Sequence, residues 1–365
     1  MKLHPQFKMD LNKVVVITCA YLLISWFFAF YNQAAITSIY SLGPTPQNDI
    51  KISFVASTVA GLLAGILGGT VMVVVNNRVF RRKSYGYALM ATTLAFTVVF
   101  VFITIAMSVL MAWLELGDKV TFSAMTSHAS SSIFSVWTVI YFVQWAVIML
   151  LTLFFLQVSD KFGPGILSKF LRGKYYQPKE EARIFMFLDM KSSTSHAEQL
   201  GHEKYFNLLS DVFSDITGSI LNNAGEIYQY VGDEIVVSWS LQKGLSNANC
   251  LNCFHAIQKK LDELALTYMK KYGVTPEFKA GLHHGMVTAG EVGSIKRDIV
   301  FSGDVLNTTS RIQEQCNNYQ VKCLISKQTL DLIKDQNTFE PIPLGNIKLK
   351  GKEEIIELNT IKVID

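Results

Sequence analysis

Four stretches of this chain are each long enough to cross a bilayer as a helix, and none carries a charged side chain. They run Val14–Ala35, Ser53–Val75, Tyr87–Leu114 and Ile133–Val158, and the first charge after the third run is Glu115. Spanning the hydrocarbon core takes about 20 apolar residues, so these runs predict four transmembrane helices. A cleavable leader is not expected, because no small-residue cleavage site precedes the polar break near Pro44. Only 14 of the 62 Asp, Glu, Lys and Arg residues fall in residues 1–160, so the 17% charged fraction averages two unlike parts. The second part has an ordinary globular composition and is long enough to bury its own core. Five scattered cysteines predict no disulfide framework, and a net charge of +4 gives no support to a nucleic-acid partner.

Loop charges predict an orientation. The first, third and fifth segments outside the spans hold Lys2, Lys8 and Lys13, then Arg78, Arg81, Arg82 and Lys83, then Lys161, Lys169, Arg172 and Lys174. The other two hold only Lys51 and Lys119. The excess of basic residues marks the inner side, so both termini are expected in the cytosol of a multi-pass cell-membrane protein. Trp113 sits at a span end, where amphipathic rings are favoured, and the Gly61, Gly65, Gly68, Gly69 series suits close helix packing. Gln144 is the one large polar side chain in the middle of a span, and a helix–helix hydrogen bond is its expected role. The spans contain none of the ionisable groups that mark ion paths, which argues against a transporter. The outer loops, about residues 36–52 and 115–132, are too short for a folded ligand-binding domain.

After Gly163-Pro164-Gly165, residues 161–182 form the joint between a membrane part at 1–160 and a soluble part at 183–365. Ile166–Arg172 reads either as a short helix on the membrane surface or as a plain linker turn. The soluble part is expected to be α+β. Its strands fall near 183–188, 226–230, 234–240, 277–283, 286–292, 321–325, 346–350 and 355–362. Helices are expected near 194–223, 246–272, 304–316 and 327–335.

Two carboxylates stand out there. Asp189 ends the apolar run Ile184–Leu188 and precedes Lys191-Ser192-Ser193-Thr194 at a helix start. Asp233 lies in the turn Gly232-Asp233-Glu234. An acid beside free helix N-terminal amides is placed to hold a cation and a phosphate together. Taken singly, each aspartate also reads as a helix cap or a turn residue. The combination Phe187-Leu188-Asp189-Met190 with Tyr230-Val231-Gly232-Asp233-Glu234 resembles the two metal-binding motifs of class III nucleotidyl cyclases. Gly281-Leu282-His283-His284-Gly285, Asn307-Thr308-Thr309-Ser310-Arg311 and Lys350-Gly351-Lys352 resemble further motifs of that family in its order.

The resemblance implies a cyclase domain over about residues 181–365, with two Mg²⁺ or Mn²⁺ ions held by Asp189, Asp233 and the backbone carbonyl of Met190. It assigns the triphosphate to the amides from Ser192 through Ser193 to Thr194 and to Lys350, the ribose to Asn307, and charge on the transferring phosphate to Arg311. It also implies a head-to-tail homodimer in which the metal aspartates and the Asn/Arg/Lys set come from opposite chains. The implied activity is conversion of ATP to 3′,5′-cyclic AMP and pyrophosphate by a membrane-anchored enzyme. The family's base-reading positions fall on Gln229 and Val300, which depart from the usual lysine and aspartate or threonine, and Asp298 stands two residues away as a possible acceptor. A guanylate cyclase, or a catalytically silent nucleotide-binding and dimerisation module of a receptor, are the alternatives. Cys250 and Cys253 are one helical turn apart without a second pair, so helix packing is expected rather than zinc. His283 and His284 are strand neighbours facing opposite ways and form no simple ligand pair.

Overall fold

The apolar runs become helices because a backbone in hydrocarbon has only itself to hydrogen-bond to. The computed structural model describes residues 5–39, 50–75, 85–116, 121–162, 173–295, 297–334, 338–349 and 355–364. Within the first compact unit, Met1–Phe162, helix α1 spans Pro5–Ile39 and α2 spans Ile50–Val75, with a π-helical turn at Ala64–Gly68. Helix α3 follows at Tyr85–Leu116, α4 at Phe122–Ile133 and α5 at Val136–Phe162. Four segments are long and apolar enough to cross a membrane, namely Phe7–Ala35, Ile50–Val75, Leu89–Trp113 and Val136–Lys161. Each coincides with one of the four expected spans. Helix α4 replaces part of the expected outer loop; its five serines disfavour a helical reading, although Phe122, Met125, Ala129 and Ile133 recur at helical spacing.

The bundle core is small. Ile17, Tyr21, Met72, Val73, Met149, Leu153 and Leu156 bury one another, while Val16, Leu94 and Val98 stay outward and exposed, as lipid-facing residues do. Tyr21 donates to Thr152 Oγ1 at 3.1 Å, and Lys13 pairs with Asp160 at 2.7 Å, tying α1 to α5. Of the glycine series, Gly61 and Gly65 sit where any Cβ would meet α1: at Gly65 it would lie 2.5 Å from Thr18 Cα. Gly68 faces open space.

The second unit, Gly163–Asp365, is built on a sheet of eight strands: β1 Lys179–Met190, β2 Glu226–Val231, β3 Glu234–Ser240, β4 Phe278–Val292, β5 Asp298–Ser302, β6 Cys323–Ser326, β7 Phe339–Lys348 and β8 Ile355–Val363. The order is β2-β3-β1-β4-β6-β8-β7, with β5 paired to the far end of β4. All pairings are antiparallel except β4 with β6, so the α+β expectation holds. Its helices are α6 Ser193–Asn222, α7 Leu241–Leu245, α8 Asn249–Tyr272, α9 Asp304–Glu314 and α10 Lys327–Leu330. Leu208, Val212, Ile216 and Ile220 repeat every fourth residue along α6, which gives one apolar stripe. With α8 they cover Ile184, Met186, Leu188, Ile235 and Val237 on one sheet face. Cys250 and Cys253 are buried in this layer, where burial pushes the Cys250 thiol up to about 12, as packing residues rather than metal ligands.

Three expectations are corrected. Phe278–Val292 forms one strand, where two were expected at 277–283 and 286–292, and pairs with β1 without a break from Phe278 to Ala289. Two glycines of the 281–285 motif make room for a neighbouring helix. A Cβ on Gly281 would lie 2.5 Å from the backbone nitrogen of Gln313, and one on Gly285 would lie 3.0 Å from Val305 Cβ, so both make room for α9. Strand β7 is longer than expected, since Pro341 and Pro343 are tolerated on the outermost strand of the sheet. Helix α10 is a single turn. Ile166–Arg172 of the joint lies outside the described residues, as does Lys350.

Candidate active site

Asp189 is the penultimate residue of β1. Its strand face is shared by Phe187, Phe185 and Arg183, the face opposite α6 and α8. Asp233 occupies the β2–β3 turn after Gly232, whose φ of +62° is the left-handed conformation that a tight turn requires and glycine supplies without strain. Because β1 and β3 are paired with Asp189 opposite Glu234, the turn carries Asp233 onto Asp189, and the two carboxyls come within hydrogen-bonding reach. Burial and the adjacent Asp233 carboxylate push Asp189 up to about 6, against the pull of a Gln313 hydrogen bond and of Lys279. Burial, then the charges of Asp189, Asp233 and Glu314, push Glu234 up to about 7. Hard oxygen donors with raised proton affinity are a donor set that fits Mg²⁺ or Mn²⁺. Among the described residues no group of three His, Cys, Asp or Glu side chains converges as a ligand set. Two carboxylates beside a strand-end carbonyl are the oxygen donors that β1 and the β2–β3 turn bring together among the described residues.

The adjoining loop is shaped for an anion. Ser192 adopts φ +58°, a strained conformation for a residue with a side chain, and precedes the first turn of α6 without capping it. The amides at Ser193 and Thr194 therefore keep free hydrogen-bonding capacity beside the carboxylates. Met190 lies between Asp189 and this loop, its side chain buried and its carbonyl at the strand end. Helix α6 bends at Gly201, which takes φ +74°.

Asn307 and Arg311 share one side of α9, as their i, i+4 spacing requires. Within the chain neither makes a hydrogen bond or ion pair with Asp189 or Asp233. Arg311 donates to both oxygens of Glu314 at 2.8 and 2.9 Å, and Asn307 is exposed without a side-chain hydrogen bond to any described residue. Gln313, two positions on and so about 200° around the helix, faces the sheet and reaches Asp189. Sequence reasoning missed it, although its offset from Arg311 places it on the opposite side of α9.

The positions expected to read the base lie on β2 and β5. Gln229 is exposed beside an irregularity in the β2–β3 register, and Val300 and Asp298 share one side of β5. A cluster that the sequence did not announce links the two strands. The Phe301 amide donates to Tyr228 Oη at 3.1 Å, with their rings 4.9 Å apart and Phe185 against both. Arg183 lies over the Phe301 ring at 4.5 Å and donates to Glu181, Glu226 and Ser238 at 2.8 to 2.9 Å. The available signal was the pair Glu181 and Arg183 on alternate residues of a strand otherwise apolar at its centre.

Residues 175–360 match the adenylate and guanylate cyclase catalytic domain, and the chain belongs to that family. It is 32% identical over 200 residues to adenylate cyclase 2 of Rhizobium meliloti, covering 55% of each chain. It is 26% identical over 197 residues to a receptor-type guanylate cyclase of Caenorhabditis elegans, covering 52% of this chain and 15% of that one. The chain thus spans about half the length or less of these relatives. The fold is that of a bacterial light-regulated adenylyl cyclase, with a TM-score of 0.51, 19% identity, and coverage of 59% of this chain and 63% of the other.

Proposed function

We propose that this chain is a membrane-anchored adenylate cyclase that converts ATP to 3′,5′-cyclic AMP and pyrophosphate as a homodimer. The observation that carries the reading is the contact of Asp189 with Asp233 beside the open first turn of α6. When bound, two divalent cations would lower the pKa of the ribose 3′-hydroxyl and neutralise the departing pyrophosphate. Asp189, Asp233 and the Met190 carbonyl hold that charge, and the amides from Ser192 to Thr194 orient the phosphates. Asn307 and Arg311, turned to solvent in their own chain, are free to complete the site of a second copy, with Lys350 on the outer phosphates. Arg311 then exchanges its Glu314 partner for the developing charge on the phosphorus.

Gln229 presents both a donor and an acceptor, which matches the N1 and N6 edge of adenine, and Asp298 supplies a further acceptor. The adenylate cyclase of Rhizobium meliloti supports the choice of ATP. The domain reading behind this places residues 1–160 in the membrane, 161–182 as the coupling joint and 183–365 as the catalytic domain. The basic bias of Arg78–Lys83 and Lys161–Lys174 supports a cytosolic catalytic domain.

Product analysis of the purified full-length chain with Mn²⁺ and either nucleotide tests the reading. Cyclic AMP is expected, with a loss of roughly 100-fold or more in Asp233→Asn, as for removal of a group that stabilises transition-state charge. Cyclic GMP as the sole product would overturn the base assignment. Nucleotide binding with no cyclic product would favour the silent module, and equal turnover by Asp233→Asn would sink the metal assignment.

A further inference from the structure

Between α1, α2, α3 and α5 the bundle holds a cavity of about 460 Å³, inside the roughly 300–1,000 Å³ range of small-molecule sites. It lies where α1 ends, α2 begins, α3 ends and α5 begins, the half of the bundle opposite the Lys13–Asp160 pair. Its apolar wall is rich in rings and sulfur, from Phe28, Phe100, Trp137, Met107 and Met111, and among the described residues that line it none is charged. Set into that wall are the polar side chains of Asn32, Ser108, Tyr141 and Gln144, and none makes a hydrogen bond to any described residue. Ser108 is only 6% exposed. The helix–helix partner expected for Gln144 is therefore not found among the described residues.

In a bilayer, acyl chains offer these four groups neither donor nor acceptor. An amide or hydroxyl left unpaired in hydrocarbon is destabilising, and the penalty falls here on four side chains facing one space. The described lining favours an uncharged occupant, since none of these side chains would compensate the desolvation of an ion. Tyr141, Ser108 and the two amides can all donate, which suits oxygen acceptors on an apolar body. We propose that this cavity is a binding site for an uncharged, largely apolar small molecule bearing carbonyl or hydroxyl oxygens. The proposal rests on the reading that these helices lie in a membrane.

The test uses the full chain in phosphatidylcholine nanodiscs and a short-tailed alkyl benzophenone, a neutral aromatic ketone that inserts into nearby C–H bonds on illumination. Saturable labelling is expected in the peptides holding Met107 and Met111. A short-tailed uncharged quinone should displace it, and palmitate should not. Gln144→Leu, which keeps the side-chain size and removes the amide, should weaken labelling roughly tenfold, as for one lost hydrogen bond to a ligand. Ala60→Phe, which fills the cavity, should abolish it. Both variants are compared only as monodisperse, membrane-inserted protein. Labelling that does not saturate, that spreads over the lipid-facing Leu94, Val98 and Val147, or that is unchanged in Gln144→Leu overturns the proposal. Recovery of the chain from cells without detergent would overturn the membrane reading instead.

Discussion

Asp189 is held at raised proton affinity by burial and the charge of Asp233, and Glu234 by burial and the charges of Asp189, Asp233 and Glu314, an arrangement that works against folding unless a cation shares the space. The two departures at the base are equally local. Val300 cannot hydrogen-bond, and Gln229 can serve either purine once its amide flips. Gln229→Lys with Val300→Asp should therefore raise kcat/KM for ATP over GTP by roughly tenfold or more, measured for both nucleotides on full-length protein. A double variant no more selective than wild type would show that these positions do not read the base. His284 makes a second residue-scale prediction. Its ring meets Thr329 Oγ1 at 3.0 Å, and burial holds its pKa below the ordinary 6.5. The unfolded chain then takes up the proton first, so this contribution to stability is complete above pH 6.5 and declines as pH falls below it. Urea midpoints measured between about pH 8 and about pH 5 should fall less steeply in His284→Asn than in wild type.

At the scale of elements, glycines decide which surfaces touch. Gly65→Leu should destabilise the helical bundle by about 1–3 kcal/mol, because the new side chain meets the backbone of α1. Gly68→Leu, into open space, should leave the thermal midpoint in detergent unchanged, and equal effects at the two sites would refute the α1–α2 packing. Gly281→Ala should lower cyclase activity while the protein still folds, since α9 must move off β4 and carries Gln313 away from Asp189. The sequence showed the series Gly61, Gly65, Gly68, Gly69 but not which members face a neighbour. It likewise divided 277–283 from 286–292 at Gly285, because a glycine needed for close approach and one needed for a turn look alike in one dimension. Helix α4 and the proline-bearing β7 were hidden for a related reason, as their serines and prolines disfavour the elements that hold them.

For the whole molecule, the absence of a hydrogen bond or ion pair between Asn307 or Arg311 and the aspartates makes assembly the decisive question. If sites are shared between two copies, Asp233→Asn and Arg311→Ala should each be inactive alone. Co-expressed, they should regain about a quarter of wild-type activity, since half of randomly paired dimers hold one intact site of two. No recovery in verified heterodimers would place all the machinery in one chain.

Local sequence alone determined the four spans, because a charge-free run of that length has few stable environments outside hydrocarbon. It also determined the positions of Asp189 and Asp233, because a strand end and a glycine turn are written in neighbouring residues. Only the tertiary structure decided that Gln313 meets Asp189, that Tyr228 and Phe301 join β2 to β5, and that Gln144 lines a cavity with no hydrogen-bond partner among the described residues. Each of these depends on surfaces from distant parts of the chain meeting in register. Side-chain periodicity tells which face a residue occupies, but not what that face will touch.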